Sequence, residues 1–274
     1  MTDTVLTARP AQAPVADRAL RASAALWFLV AVFGQLFFAY YIMVFYGGTA
    51  MNGDWEAWAR RLIHGIIEGD TLGNLAVILH LVLAFIITVG GPLQFVPQIR
   101  QSAPAFHRWN GRVYIVTAIV ISLGALYMVW TRGILGGLAN EIAISLNGLA
   151  IMICAGMTIR HALARDIATH YRWALRTFLM VSGVWFFRIG FGLWIFLNDG
   201  SAPGSNQTLT GPFDLSLAFG QTLVPLMVVE LYFRARKRGN RLGKIAMATG
   251  IAVCAAGTGA GMFMAAHIFW LPNL

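Results

Sequence analysis

NLAVILHLVLAFIITVGGPLQFVPQ, residues 74–98, runs for 25 positions without a Lys, Arg, Asp or Glu. About 20 such residues cross the roughly 30 Å of bilayer hydrocarbon, so the stretch reads as a spanning helix. Six further apolar segments flank it, at about 25–46, 112–131, 141–160, 174–197, 212–233 and 245–271. Hydrocarbon offers the backbone no hydrogen-bond partners, and none of the seven alternates in the manner of a barrel strand. The expectation is an all-α membrane protein, a seven-transmembrane helix bundle.

Composition excludes a soluble globule. The 274-residue chain is 58% hydrophobic and 11% charged, with mean hydropathy +0.68, against about 25% charged residues in ordinary soluble domains. A formal charge of +9 would suggest nucleic acid in a soluble chain, but the basic residues here fall between apolar runs and no nucleic-acid module is visible. They report topology instead: with the N-terminus inside, 16 of the 20 Lys and Arg lie on the cytoplasmic side. This predicts an N-in/C-out protein of a bacterial inner membrane, with the lipid bilayer as its first partner. Residues 1–24 read as a cytoplasmic tail carrying Arg9, Arg18 and Arg21, and 25–274 as one domain whose core spans cover about 74–197. The two cysteines, Cys154 and Cys254, sit within apolar runs and imply no disulfide framework.

Two outer segments are not spans. Residues 54–68 place Trp55, Trp58, Leu62 and Ile66 on one helical face, which predicts an outer interfacial amphipathic helix. Residues 198–211 are Gly/Ser/Thr-rich without Lys or Arg and read as a mobile outer loop. Gly90-Gly91-Pro92 is expected to break or kink the second span. An Arg-Trp-x-x-Arg element recurs at Arg108–Arg112 and Arg172–Arg176, suggesting that hairpins two/three and four/five are related by duplication.

Depth sorts the histidines. His80 lies roughly 9 Å inside the outer end of its span and His267 roughly 6 Å inside its own, at 1.5 Å per residue. Two imidazoles at one level suit axial ligation of haem b; with His64 from the outer segment they suit Zn²⁺ instead. His107, His161 and His170 form an inner layer, where a second haem would complete an electron path. Arg188, about nine residues from the outer end of span five, costs about 2.5–3.5 kcal/mol near a helix centre unless an anion or water receives it. Its own-chain candidates are Glu141 and Asp214; otherwise it meets a ligand anion. The i,i+4 pairs Arg108/Arg112 and Arg172/Arg176 suit an oxyanion clamp.

Three functions fit this inventory. One is a haem b or related redox protein passing electrons from a membrane quinol, with His80 and His267 as ligands and Arg188 as anion partner. Another is a Zn-dependent lipid hydrolase, for which Glu141, Glu68 or Asp70 is the outer acidic residue. The third is a carrier or sensor binding a small anionic or lipid ligand at Arg188.

The chain resembles a bacterial family of multi-pass membrane proteins of unknown function. The resemblance covers about 75–190 and rests on His80; on Gly91, Pro92, Gln94 and Phe95; and on His107, Arg108, Gly111, Arg112 and Tyr114. His170, Trp173 and Arg176, followed by the intramembrane Arg188, complete it. It implies the multi-span fold and these candidate positions, and it supplies no reaction.

Overall fold

The computed structural model describes residues 14–62 and 65–274. Arg9 of the tail and His64 of the proposed outer metal set lie outside the described residues. The helices are α1 (Val15–Tyr41), continued through a π-helical turn Ile42–Gly47 into α2 (Gly48–Met51), then α3 (Glu56–Ala59), α4 (Thr71–Leu93), α5 (Pro97–Ser102) and α6 (Pro104–Arg132). There follow α7 (Gly137–Leu163), α8 (Ile167–Val181), α9 (Gly183–Leu197), α10 (Pro212–Arg238) and α11 (Arg241–Ala265), the last extended by π and 3-10 turns to Asn273. Among the described residues six helices are long and apolar enough to cross a membrane; α8 and α9, bent by 57° at one residue, make a seventh if the pair counts as one span.

The bundle closes with α1 on α11, α11 on α9, α10 along α8 and α9, α7 on α8, and α4 on α6. An ion pair of Lys244 with Asp17 (2.7 Å) ties the starts of α1 and α11 at the Arg-rich end, and Arg61 donates to the Asn273 side chain at the opposite end. Between them, α8 meets the end of α10 through Arg176 and Glu230, and α9 meets its start through Trp194 stacked on Phe213, centroids 4.8 Å apart. The bent pair therefore runs the full length of α10.

Five expectations are corrected. The first helix begins at Val15, not near 25, because Ala16, Leu20 and Ser23 form a buried stripe while Arg18 and Arg21 stay exposed. The outer amphipathic helix is one turn, Glu56–Ala59. Asp54 starts it by accepting from the Ala57 N–H, and Gly65 and Gly69, both at positive φ, turn the chain after it. Trp58 is buried against Tyr46 and the protein core instead of lying on a lipid surface.

The 198–211 loop is built, not loose. Buried Asp214 accepts from Ser205 Oγ (2.6 Å), Asn206 N (3.2 Å) and Gly211 N (3.0 Å), while the Trp194 indole donates to the Pro203 carbonyl. Gly90-Gly91-Pro92 does not break α4 but falls in its last turns, where the glycines admit Asn110 and Tyr114 of α6; Asn110 Nδ2 donates to the Gly90 carbonyl (2.9 Å). The break falls instead in span five, at Ser182-Gly183, a Ser/Gly pair of the kind that bends helices.

Candidate ligand-binding cavity

Breaking a helix inside hydrocarbon leaves backbone groups that need new partners, so the neighbours of Ser182 carry unusual side chains. Gln35 Nε2 of α1 donates to Ser182 Oγ (2.8 Å), which donates to the Phe178 carbonyl (2.8 Å). Asn147 Nδ2 of α7 donates to the Met180 carbonyl (3.2 Å) and to Thr222 Oγ1 of α10 (2.9 Å). A Cβ on Gly183 would stand 2.8 Å from that amide nitrogen, so glycine is what lets Asn147 reach the break.

Beside the break a cavity of about 720 Å³ opens among α1, α4, α6, α7, α9 and α10. Such a volume holds a cofactor- or lipid-head-sized molecule. Its wall is mainly apolar, with Phe38, Leu81, Ile144 and Phe187 among the lining residues. Set into that wall are six polar atoms with no protein partner among the described residues: Gln35 Oε1, His80 Nδ1, Tyr114 Oη, Asn140 Oδ1, Trp185 Nε1 and Gln221 Oε1. Gln35, Tyr114, Trp185 and Gln221 are each 6% exposed or less. Buried polar groups are nearly always hydrogen-bonded, so six orphans around one space point to a guest or to ordered water.

Arg188 lines the same space from α9. Its Nη1 donates to the Val184 carbonyl (3.2 Å) and its guanidinium lies 5.3 Å from the centre of the Phe38 ring. No described carboxylate stands within salt-bridge distance of it. Asp214, one expected partner, is occupied by the loop it staples, and Glu141 makes no ion pair among the described residues.

The mouth at the end opposite the Arg-rich one carries Arg60, Arg61 and Arg132. Arg132 forks onto Asp70 (2.6 and 2.9 Å) and reaches Asn74 Oδ1 (2.8 Å). That guanidinium, with the Gly73 N–H, holds the Asp70 carboxyl below the usual carboxylate range.

Of the described histidines only His80 lines this cavity. His267, expected at the same level, is exposed and stacked on Phe263. Its helix packs on α1 and α9, whereas that of His80 packs on α6 and α1, so the structure does not bring the outer pair to one site. Among the described residues no three His, Cys, Asp or Glu side chains converge as a metal site.

The inner histidines take separate partners. His161 Nδ1 faces Asp166 (3.5 Å), His170 Nδ1 lies 3.0 Å from the Thr158 carbonyl, and His107 Nδ1 is buried without a hydrogen-bond partner among the described residues. The repeated motifs make one shared contact: Arg112 stacks on Trp109 and Arg176 on Trp173. Arg176 is then taken by Glu230, Arg172 lies over Phe233, and Arg108 is exposed. Arg172 and Arg176 thus rest on different partners within the protein.

Sequence reading missed Gln35, Asn147, Ser182 and Gln221. The signal was available, because each is a lone polar side chain inside an apolar run, and such residues face the bundle interior.

A set of apolar helices of spanning length, one bent pair among them, and an arginine within the bundle that meets no carboxylate among the described residues define a polytopic helical membrane protein. The chain belongs to the family described as predicted membrane protein (DUF2306), which matches residues 77–233, more than half of its length. No curated protein and no solved structure matches it.

Proposed function

We propose that the protein is a seven-span, N-in/C-out receptor or carrier of a bacterial inner membrane that binds an acidic amphiphile in this cavity. The bent pair α8/α9 is the fifth span. The observation that carries the reading is Arg188, a guanidinium inside the bundle with no described carboxylate, facing a space walled by orphaned polar atoms. A planar fork matches an oxyanion in two bonds, as carboxylate or phosphate. Trp185 and Tyr114 supply further donors, while Gln35 Oε1 and Gln221 Oε1 accept from a hydroxyl on the same head. The apolar wall takes the hydrocarbon.

The test is equilibrium binding of hexadecyl phosphate to the detergent-solubilised protein, with hexadecanol as the neutral control. Arg188→Gln and Arg188→Lys should each weaken the phosphate by about tenfold to a hundredfold, the worth of a charged hydrogen bond of roughly 1.5–3 kcal/mol. Hexadecanol binding should not change. Equal phosphate affinity in wild type and Arg188→Gln refutes the reading, and binding that ignores Arg188 but accepts a quinone moves the site to a neutral head.

His80 favours a second reading. Its free Nδ1 on the cavity wall offers an iron porphyrin one axial ligand, with Arg188 placed for a propionate. The paired-histidine form does not fit, because His267 does not line the cavity. A Soret band in the purified protein, lost in His80→Ala, selects this reading over the amphiphile.

A further inference from the structure

A second, smaller cavity of about 310 Å³ lies in the seam between α4 and α6. Its walls are Leu75, Leu79 and Leu83 from α4 and Val120, Leu123 and Gly124 from α6, apolar throughout except for one side chain, His80. Leu75, Leu79, Val120 and Leu123 are all exposed on the outside of the bundle, so the seam opens toward lipid. His80 and Ile121 line both spaces. The two spaces therefore adjoin, and the His80 and Ile121 side chains stand between them.

We infer that the ligand's hydrocarbon chain occupies the α4/α6 seam and that the polar cavity is loaded sideways from the bilayer past His80. The inference rests on the amphiphile reading and adds its route and the place of its tail. Three observations commit the seam to a hydrocarbon chain. It is too small for a helix, whose diameter with side chains is about 10–12 Å. From Leu72 to Leu83 it runs about 17 Å along α4 at 1.5 Å per residue, close to the roughly 15 Å depth of one hydrocarbon leaflet. It adjoins the space that holds Arg188 at His80 and Ile121, so a molecule with its head at the guanidinium and its tail past these side chains has an apolar exit for that tail. Gly124 leaves that exit wide: a Cβ there would meet nothing within 4 Å.

Three ligands and two variants test this. Wild type should bind hexadecyl phosphate at least a hundredfold more tightly than butyl phosphate. Gly124→Phe, which fills the seam from a position with room for it, should remove at least tenfold of the hexadecyl affinity and leave butyl phosphate unchanged. A hexadecyl phosphate carrying a diazirine at its methyl end should label Leu79, Leu83, Val120 or Leu123 in the unmodified protein, and butyl phosphate should compete that labelling away. The labelling is read on wild type, so it stands whether or not Gly124→Phe folds.

The inference is overturned if the diazirine labels only residues deep in the polar cavity, or if Gly124→Phe folds and keeps full hexadecyl affinity. Labelling of the seam that butyl phosphate does not compete, or that hexadecanol reproduces, identifies bulk lipid and also overturns it. In all these cases a continued dependence of both phosphates on Arg188 leaves the amphiphile reading standing. Loss of that dependence removes the amphiphile reading itself.

Discussion

Asn147 and Gly183 should behave as one device. Asn147→Ala removes two hydrogen bonds, to the Met180 carbonyl and to Thr222 Oγ1. Hydrogen bonds between membrane helices average about 0.6 kcal/mol and reach about 1.7, so the expected loss is about 1–3 kcal/mol. Gly183→Ala places a methyl 2.8 Å from the Asn147 nitrogen and 3.1 Å from its carbon and oxygen, so the amide must leave its position and the same bonds are lost. Alanine returns part of that cost, since it is about 0.8–1 kcal/mol better than glycine in a helix. With Asn147 already alanine, the obstacle is gone and only the helical gain remains. The double variant should therefore be no less stable than Asn147→Ala alone, with a coupling of about 2 kcal/mol between the sites. Reversible unfolding in mixed detergent micelles measures all four proteins. If the two losses simply add, Asn147 does not support the bend through the space that Gly183 leaves it.

Other expectations follow from single contacts. Asp70→Asn should destabilise the protein by leaving the Arg132 fork without its carboxylate. Because that fork holds the Asp70 carboxyl low, its contribution is fully present above the ordinary carboxylate pKa and is lost as pH falls through the depressed value, so melting temperature in wild type should lose this contribution only in acid, below the ordinary carboxylate range. Asp214→Ala should free the 198–211 loop, read as faster amide exchange at Asn206 and Gly211 and as new protease cuts there. Reporter fusions after Gly204 and at the C-terminus should read outside and one after Gly239 inside; an inside reading at the C-terminus removes the seven-span topology.

Hydropathy made the apolar helices legible because a hydrocarbon solvent imposes a length and permits one kind of backbone. It could not show the break, since Val181 and Val184 continue the apolar run on either side of Ser182-Gly183 and the bend depends on Asn147 and Gln35 arriving from other helices. Arg188 was legible by cost alone, as an ion where ions are expensive. The His80/His267 pair was not: depth along two helices sets a level, while ligation also needs the two helices to face each other. Nor did loop composition predict order at 198–211, because the residue that fixes the loop, Asp214, lies just after it in α10.

The position of the family segment separates two parts of the site. Residues 77–233 contain Arg188, Arg132, His80, Tyr114, Trp185, Asn147 and Gln221, which is most of the polar lining, together with the α6 side of the seam and the α4 side from Leu79 to Leu83, while Arg60 and Arg61 of the mouth lie outside it. Outside the segment lie α1 and α11, which pack extensively on one another and close the cavity with Gln35, Phe38, Tyr41 and Trp270. Arg188 meets this closure directly, with its guanidinium against Phe38, and Gln35 grips the bend through Ser182. If the proposed amphiphile binds, its oxyanion meets Arg188 of the family segment, and α1 and α11 set how tightly the cavity closes over that head. Phe38→Ala leaves the Arg188 fork in place and removes the ring beside it, so it should speed release of hexadecyl phosphate while sparing the preference for phosphate over hexadecanol. Loss of that preference in Phe38→Ala would mean that the ring, and not the guanidinium alone, defines the oxyanion site.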